Sequence, residues 1–235
     1  MPNTEHTSKQ FDAELEAVRA RVLQMGGLVE EQIKLALDAL ISGDLELCTK
    51  VENNDHMVNA LEVGIDEDCS TVIARRQPAA GDLRMLMTVV KTITDLERIG
   101  DEAAKIARMA KLIYSTDRLQ QPRTVEIRRM SQMALEMLRK SLDAFARLDL
   151  AASAEVVRRD QHVDEEFRGV LRQLITFMME DPRTISVSIE ILFIAKAIER
   201  IGDHAKNISE YVIYMVKGKD VRHVTLEEIE REVLG

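Results

Sequence analysis

Tryptophan is absent from this 235-residue chain, and aromatic residues together make up only 3% of it. Any core must therefore be built from Leu, Ile, Val, Ala and Met, as it is in helix bundles. Proline occurs only at 2, 78, 122 and 182. Long stretches are thus free of the residue that costs a helix interior about 3 kcal/mol. Alternating β-branched segments bounded by turn residues are nearly missing, which argues against a sheet protein. The two cysteines, Cys48 and Cys69, lie far apart without CxxC spacing. A disulfide scaffold is excluded, and buried or idle thiols in a reducing cytoplasm are expected. No apolar run reaches the length of a membrane span, and Met1–Gln10 lacks the apolar centre of a signal peptide. The formal net charge of −9 leaves no basic footprint for nucleic acid. Phosphate-loop and nucleophile-elbow motifs are absent, Gly26-Gly27 being a lone dipeptide, so the chain does not read as an enzyme.

What remains is helix. Hydrophobic residues at 46% supply ample core, and the segments between breaks are rich in Ala, Leu, Glu, Arg, Lys and Met. The prolines and Gly43-Asp44, a helix C-cap followed by an N-cap, divide the chain into helices at about 9–42, 45–76, 80–115, 122–147, 150–180 and 183–217. Residues 225–234 read as a short helix or a loose tail.

A repeat is visible by eye. ERIGDEAAKIAR at 97–108 and ERIGDHAKNISE at 199–210 share seven of twelve positions at an offset of 102. Upstream, Asp55-His-Met-Val-Asn59 parallels Asp160-Gln-His-Val-Asp164 at an offset of 105. The difference falls near the Pro78 and Pro182 loops, where length changes are tolerated. The expected architecture is all-α, two tandem antiparallel three-helix bundles related by duplication, with repeats at 1–118 and 119–235.

Glu97 and Asp101 are spaced i,i+4 on one helix face, and Glu199 and Asp203 repeat the arrangement. They continue rows that begin apolar, Leu83 and Val90 in one half, Ile185 and Leu192 in the other. That predicts a place at the rim of each bundle. Asp55, Asn59 and Glu62 on the second helix, and Asp160 and Asp164 on the fifth, flank the stripes that would face them. Four oxygen-bearing side chains across a groove suit a hard cation. Two carboxylates about 6 Å apart repel by roughly 0.7 kcal/mol in water and roughly 3 kcal/mol at an effective dielectric of 20, so partial burial demands a counter-charge. The bland alternative is a pair of ordinary solvated acids. Gly100 and Gly202, each about 1 kcal/mol poorer than Ala in a helix, suggest a close helix approach beside them. No Glu-x-x-His occurs, so the usual di-iron bundle ligands are missing, and a metalloenzyme is the weaker reading.

Several stretches together resemble one family. They are Met25-Gly-Gly-Leu-Val-Glu30, Ala74–Arg84, Lys91–Asp101, Met178–Thr184, Glu199–Ile208 and Tyr214–Val224. The chain is similar over nearly its whole length to the bacterial PhoU proteins. The resemblance implies a cytoplasmic negative regulator of the phosphate-starvation response, often dimeric. Such a protein would couple the ATPase of a phosphate ABC transporter to a sensor histidine kinase and would reach the membrane only through these partners. It further implies metal ions (Mg, Mn, Fe or Zn) on paired acidic motifs, here Asp55, Glu97, Asp101, Asp160, Asp164, Glu199 and Asp203. Asn59 departs from a fully acidic motif, which weakens the first half unless Glu62 substitutes. Exposure and the likeness together nominate Asp82, Arg84 and Arg147 as partner contacts.

Overall fold

A computed structural model describes residues 9–115, 124–222 and 224–234. Seven α-helices and no strand occur among them: α1 Lys9–Ser42, α2 Leu45–Arg76, α3 Ala80–Tyr114, α4 Val125–Arg147, α5 Leu150–Glu180, α6 Ile185–Lys217 and α7 Leu226–Leu234. The expected repeat boundary at 118/119 lies outside the described residues.

The breaks follow local chemistry. Asp44 caps α2 by accepting from the Leu47 N–H at 2.9 Å, and Asp149 caps α5 by accepting from the Ala152 N–H at 3.0 Å. The residues before them, Gly43 and Leu148, both adopt the left-handed conformation, with φ of 71° and 57°. The sixth helix opens at Ile185, later than the 183 expected from Pro182, because Pro182–Thr184 forms a separate 3₁₀ turn capped by Asp181. The fourth opens at Val125, after Thr124, and its expected start at 122 lies outside the described residues. Residues 226–234 are helical, which decides the open question of the tail.

Helices α1, α2 and α3 pack on one another, as do α4, α5 and α6. The two bundles are joined along α3–α6 and α1–α4, while α7 lies on α5. Helices α3 and α6 run antiparallel. Arg84 near the start of α3 stacks over Tyr214 near the end of α6, Lys91 lies over Tyr211, Asp95 meets His204, and Glu102 meets Arg200. One continuous apolar core runs through both repeats, from Val22, Leu40 and Ile65 to Met130, Phe145 and Ile208. Each fully buried aliphatic or aromatic side chain there contributes about 1.5–3 kcal/mol. A smaller cluster of Ala154, Val157, Ile213, Val221 and Ile229 seats α7.

Candidate metal-binding rims

In the first half, Glu97 on α3 and Asp55 and Glu62 on α2 are half-buried, and Asp101 and Asn59 are exposed. In the second half, Asp160 on α5 is buried, and Asp164, Glu199 and Asp203 are half-buried. The acids therefore sit where the apolar rows end, at the edge of each bundle, as the sequence predicts. The helices also bring the partners of each half together. Burial raises the Glu97 carboxyl, and the negative charges of Asp101, Glu62 and Asp55 raise it further. Burial likewise raises Asp55, with Asp101 adding to it. Asp203 is pushed up to about 6, first by burial and then by Glu199, Asp160 and Asp164. Each rim thus holds four carboxylates in mutual repulsion. As placed, no three His, Cys, Asp or Glu side chains among the described residues are arranged around a common ion position. An ion would have to gather the carboxylates by side-chain rotation.

The fit to a cation differs between the halves. At the first rim the Asp55 Oδ1 is buried without a hydrogen-bond partner. The Thr94 hydroxyl donates to Glu62 at 3.2 Å, and an open groove of about 290 Å³, lined by Glu62, Asp66, Glu67 and Thr94, lies alongside. An unpartnered buried oxygen among further carboxylates suits a hard divalent ion. At the second rim the Lys206 ammonium donates to Asp160 at 2.7 Å and the Lys196 ammonium donates to Glu199 at 2.5 Å. That donor set already carries cations. Sequence reading missed both lysines, although the repeat alignment contains the signal: Lys196 stands opposite Thr94, Lys206 opposite Ala104, and Phe167 opposite Glu62.

The glycines act differently from expectation. A Cβ built on Gly100 would meet Gln32 Oε1 and Val58 at 3.4 Å, and one on Gly202 would meet Val163 at 3.5 Å, ordinary contact distances. A tighter approach is at Gly26, in the Gly26-Gly27 dipeptide, where a Cβ would lie 2.7 Å from the Leu142 methyls on α4.

Arg84 is half-buried; it stacks over Tyr214 and abuts Gly218, tying α3 to the end of α6. Asp82 is half-buried near the start of α3, and Arg147 is exposed in the last turn of α4. His56 and His162 are exposed, whereas His204 is buried against Asp95. Both thiols are buried and free, and burial pushes Cys69 up to about 12, where a thiolate is not available. No helix among the described residues is long and apolar enough to cross a membrane.

The class is now defined: a duplicated all-helical bundle with an acidic rim in each copy. The model of the PhoU domain matches the chain twice, at residues 22–110 and 127–212. The Pseudomonas putida phosphate-specific transport system accessory protein PhoU homolog is 48% identical over 233 residues, 99% of this chain and 90% of that one. The crystal structure of PhoU from Pseudomonas aeruginosa superimposes with a TM-score of 0.85 at 47% identity, covering 89% of this chain and 100% of that chain. The structure of the phosphate transport system regulatory protein PhoU from Streptococcus pneumoniae gives a TM-score of 0.83 at 29% identity, covering 90% and 99%. The chain belongs to the PhoU family, a family of transport accessory proteins and not of enzymes.

Proposed function

We propose that the protein is a cytoplasmic negative regulator of the phosphate-starvation response. It acts as an adaptor that couples the ATPase of a phosphate ABC transporter to its sensor histidine kinase and restrains phosphate uptake. The observation that carries this reading is the near full-length likeness to phosphate-specific transport accessory proteins. An adaptor needs no chemistry of its own, only different affinities for two states of its partners. Two repeats sharing one core give a rigid body with several faces, as such a role requires. Asp82 and Arg147 are the partner contacts we assign, with Arg84 holding the α3 end in place. A homodimer belongs to the same proposal.

The first acidic rim is proposed as a metal-binding part of the protein, through Asp55, Glu62, Glu97 and Asp101, with Asn59 as a neutral oxygen donor. The corresponding second-half acids are Asp160, Asp164, Glu199 and Asp203, of which Glu199 and Asp160 already pair with Lys196 and Lys206. A Mg, Mn, Fe or Zn ion there would relieve carboxylate repulsion and brace α2 against α3.

Affinity capture on the tagged full-length protein tests the adaptor role. Recovery of the cognate kinase and the transporter ATPase, with a yield that changes between phosphate-replete and phosphate-starved lysates, is expected. Capture of neither in either condition sinks it.

A further inference from the structure

The two rims occupy equivalent places in the duplicated fold, yet their side chains are not equivalent. At the first rim Glu62 stands beside Thr94, and no lysine forms an ion pair with Asp55, Glu62, Glu97 or Asp101 among the described residues. At the second rim the same two positions hold Phe167 and Lys196, and the Lys196 ammonium lies 5.4 Å from the centre of the Phe167 ring while donating to both Glu199 oxygens. Where the first rim has an acid and a hydroxyl, the second has an aromatic platform and an ammonium. Nearly three turns further along α6, Lys206 stands where the first half has Ala104 and donates to Asp160 at 2.7 Å. The burial that isolates Asp160 also strengthens that pair, since a half-buried ammonium beside a buried carboxylate is poorly screened by water.

Both rims therefore assemble four carboxylates, and only the second brings two ammonium groups to them. A hard divalent ion gains from a site in proportion to the uncompensated oxygen charge it meets. The ion must also displace whatever already holds those oxygens. We infer that Lys196 and Lys206 are the built-in counter-cations of the second rim, so that the chain takes a hard divalent cation at its first rim only. The lysines are the residues that decide occupancy. This rests on the metal reading above for the first rim, but the part assigned to the lysines stands apart from it.

Manganese(II) binding to the metal-stripped full-length protein, read by loss of the free-ion electron paramagnetic resonance signal, tests the inference. Wild type should take up one ion per chain and lose it in Glu97→Gln/Asp101→Asn. Lys196→Thr/Lys206→Ala should gain a further ion, removed again by adding Glu199→Gln. The reciprocal graft, Glu62→Phe/Thr94→Lys, should weaken binding at the first rim at least tenfold and leaves an independent test if the lysine variant does not fold. Circular dichroism confirms that each variant is folded. Two ions per wild-type chain, or one ion that survives Glu97→Gln/Asp101→Asn, overturns the inference, as does a folded lysine variant that gains nothing. No ion on wild type, together with one on the lysine variant, supports the role of the lysines and removes the metal reading of the first rim instead.

Discussion

Asp95 of α3 and His204 of α6 meet at 2.6 Å across the junction of the two repeats, and both are buried. The Asn207 amide donates to the same Asp95 oxygen at 3.3 Å. Removing the imidazole would leave a buried acid with only the Asn207 amide and the Tyr211 phenol beside it. His204→Ala is expected to cost about 2–4 kcal/mol, because a buried charge that loses its partner retains its desolvation penalty. Urea denaturation measures this. A loss below about 0.5 kcal/mol would show that the pair does not hold the repeats together.

The position of this pair shows what the sequence could and could not reveal. Helix number, the Gly43-Asp44 break and the duplication were legible because period, breakers and caps are local signals. The acidic pairs were legible because the pentapeptide recurs. His204 is not marked by the repeat, because Glu102 occupies its place in the other copy. Divergence at that place is what lets α3 and α6 bind each other: Glu102 takes Arg200 at 2.5 Å, and His204 takes Asp95. Such asymmetric contacts across a pseudo-twofold junction require knowing that α3 and α6 face each other. Lys206 was overlooked for the same reason, since it meets Asp160 on α5 only through the fold, whereas Lys196 pairs with Glu199 at the local i,i+3 spacing on α6 itself.

Glycine substitutions separate helix propensity from packing. Gly202 is mid-helix with room for a methyl group, so Gly202→Ala should stabilise by about 0.5–1 kcal/mol, raising Tm by roughly 1–4 °C. Gly26 faces the Leu142 methyls at a distance no Cβ can occupy without movement. Gly26→Val should instead destabilise by about 1–3 kcal/mol through overpacking of the α1–α4 contact. Parallel thermal melts read both. Equal signs for the two variants would contradict this account of the glycines.

Leu148 closes α4 in the left-handed conformation, with φ of 57° and its N–H donating to the Ala144 carbonyl. Its counterpart Gly43 does the same work at the end of α1 without a side-chain clash. A left-handed leucine costs about 1–2 kcal/mol, and the exposed Leu148 side chain returns little of that through burial. Leu148→Gly is therefore expected to raise stability by roughly 0.5–1 kcal/mol, after the extra chain entropy of glycine is subtracted. A fall in the urea midpoint would mean that Leu148 packs more productively than its exposure implies.

Glu210 on α6 is buried among Lys206, Asp160, Asp220 and Arg222, and burial pushes its carboxyl up to about 7. Its folded-state value thus lies above that of the unfolded chain, near 4.3. Between these limits the folded state binds more protons than the unfolded state, so this group lowers stability as pH rises through the window. The penalty is absent near pH 4 and fully present above about 8. Glu210→Gln mimics the protonated form. In metal-free protein the variant should be more stable than wild type by roughly 1–3 kcal/mol at pH 8 and about equal to it near pH 4. Chemical denaturation of both proteins across that range checks the slope. If the gap between them failed to widen towards high pH, the ammonium of Lys206 would be holding Glu210 charged in the folded state.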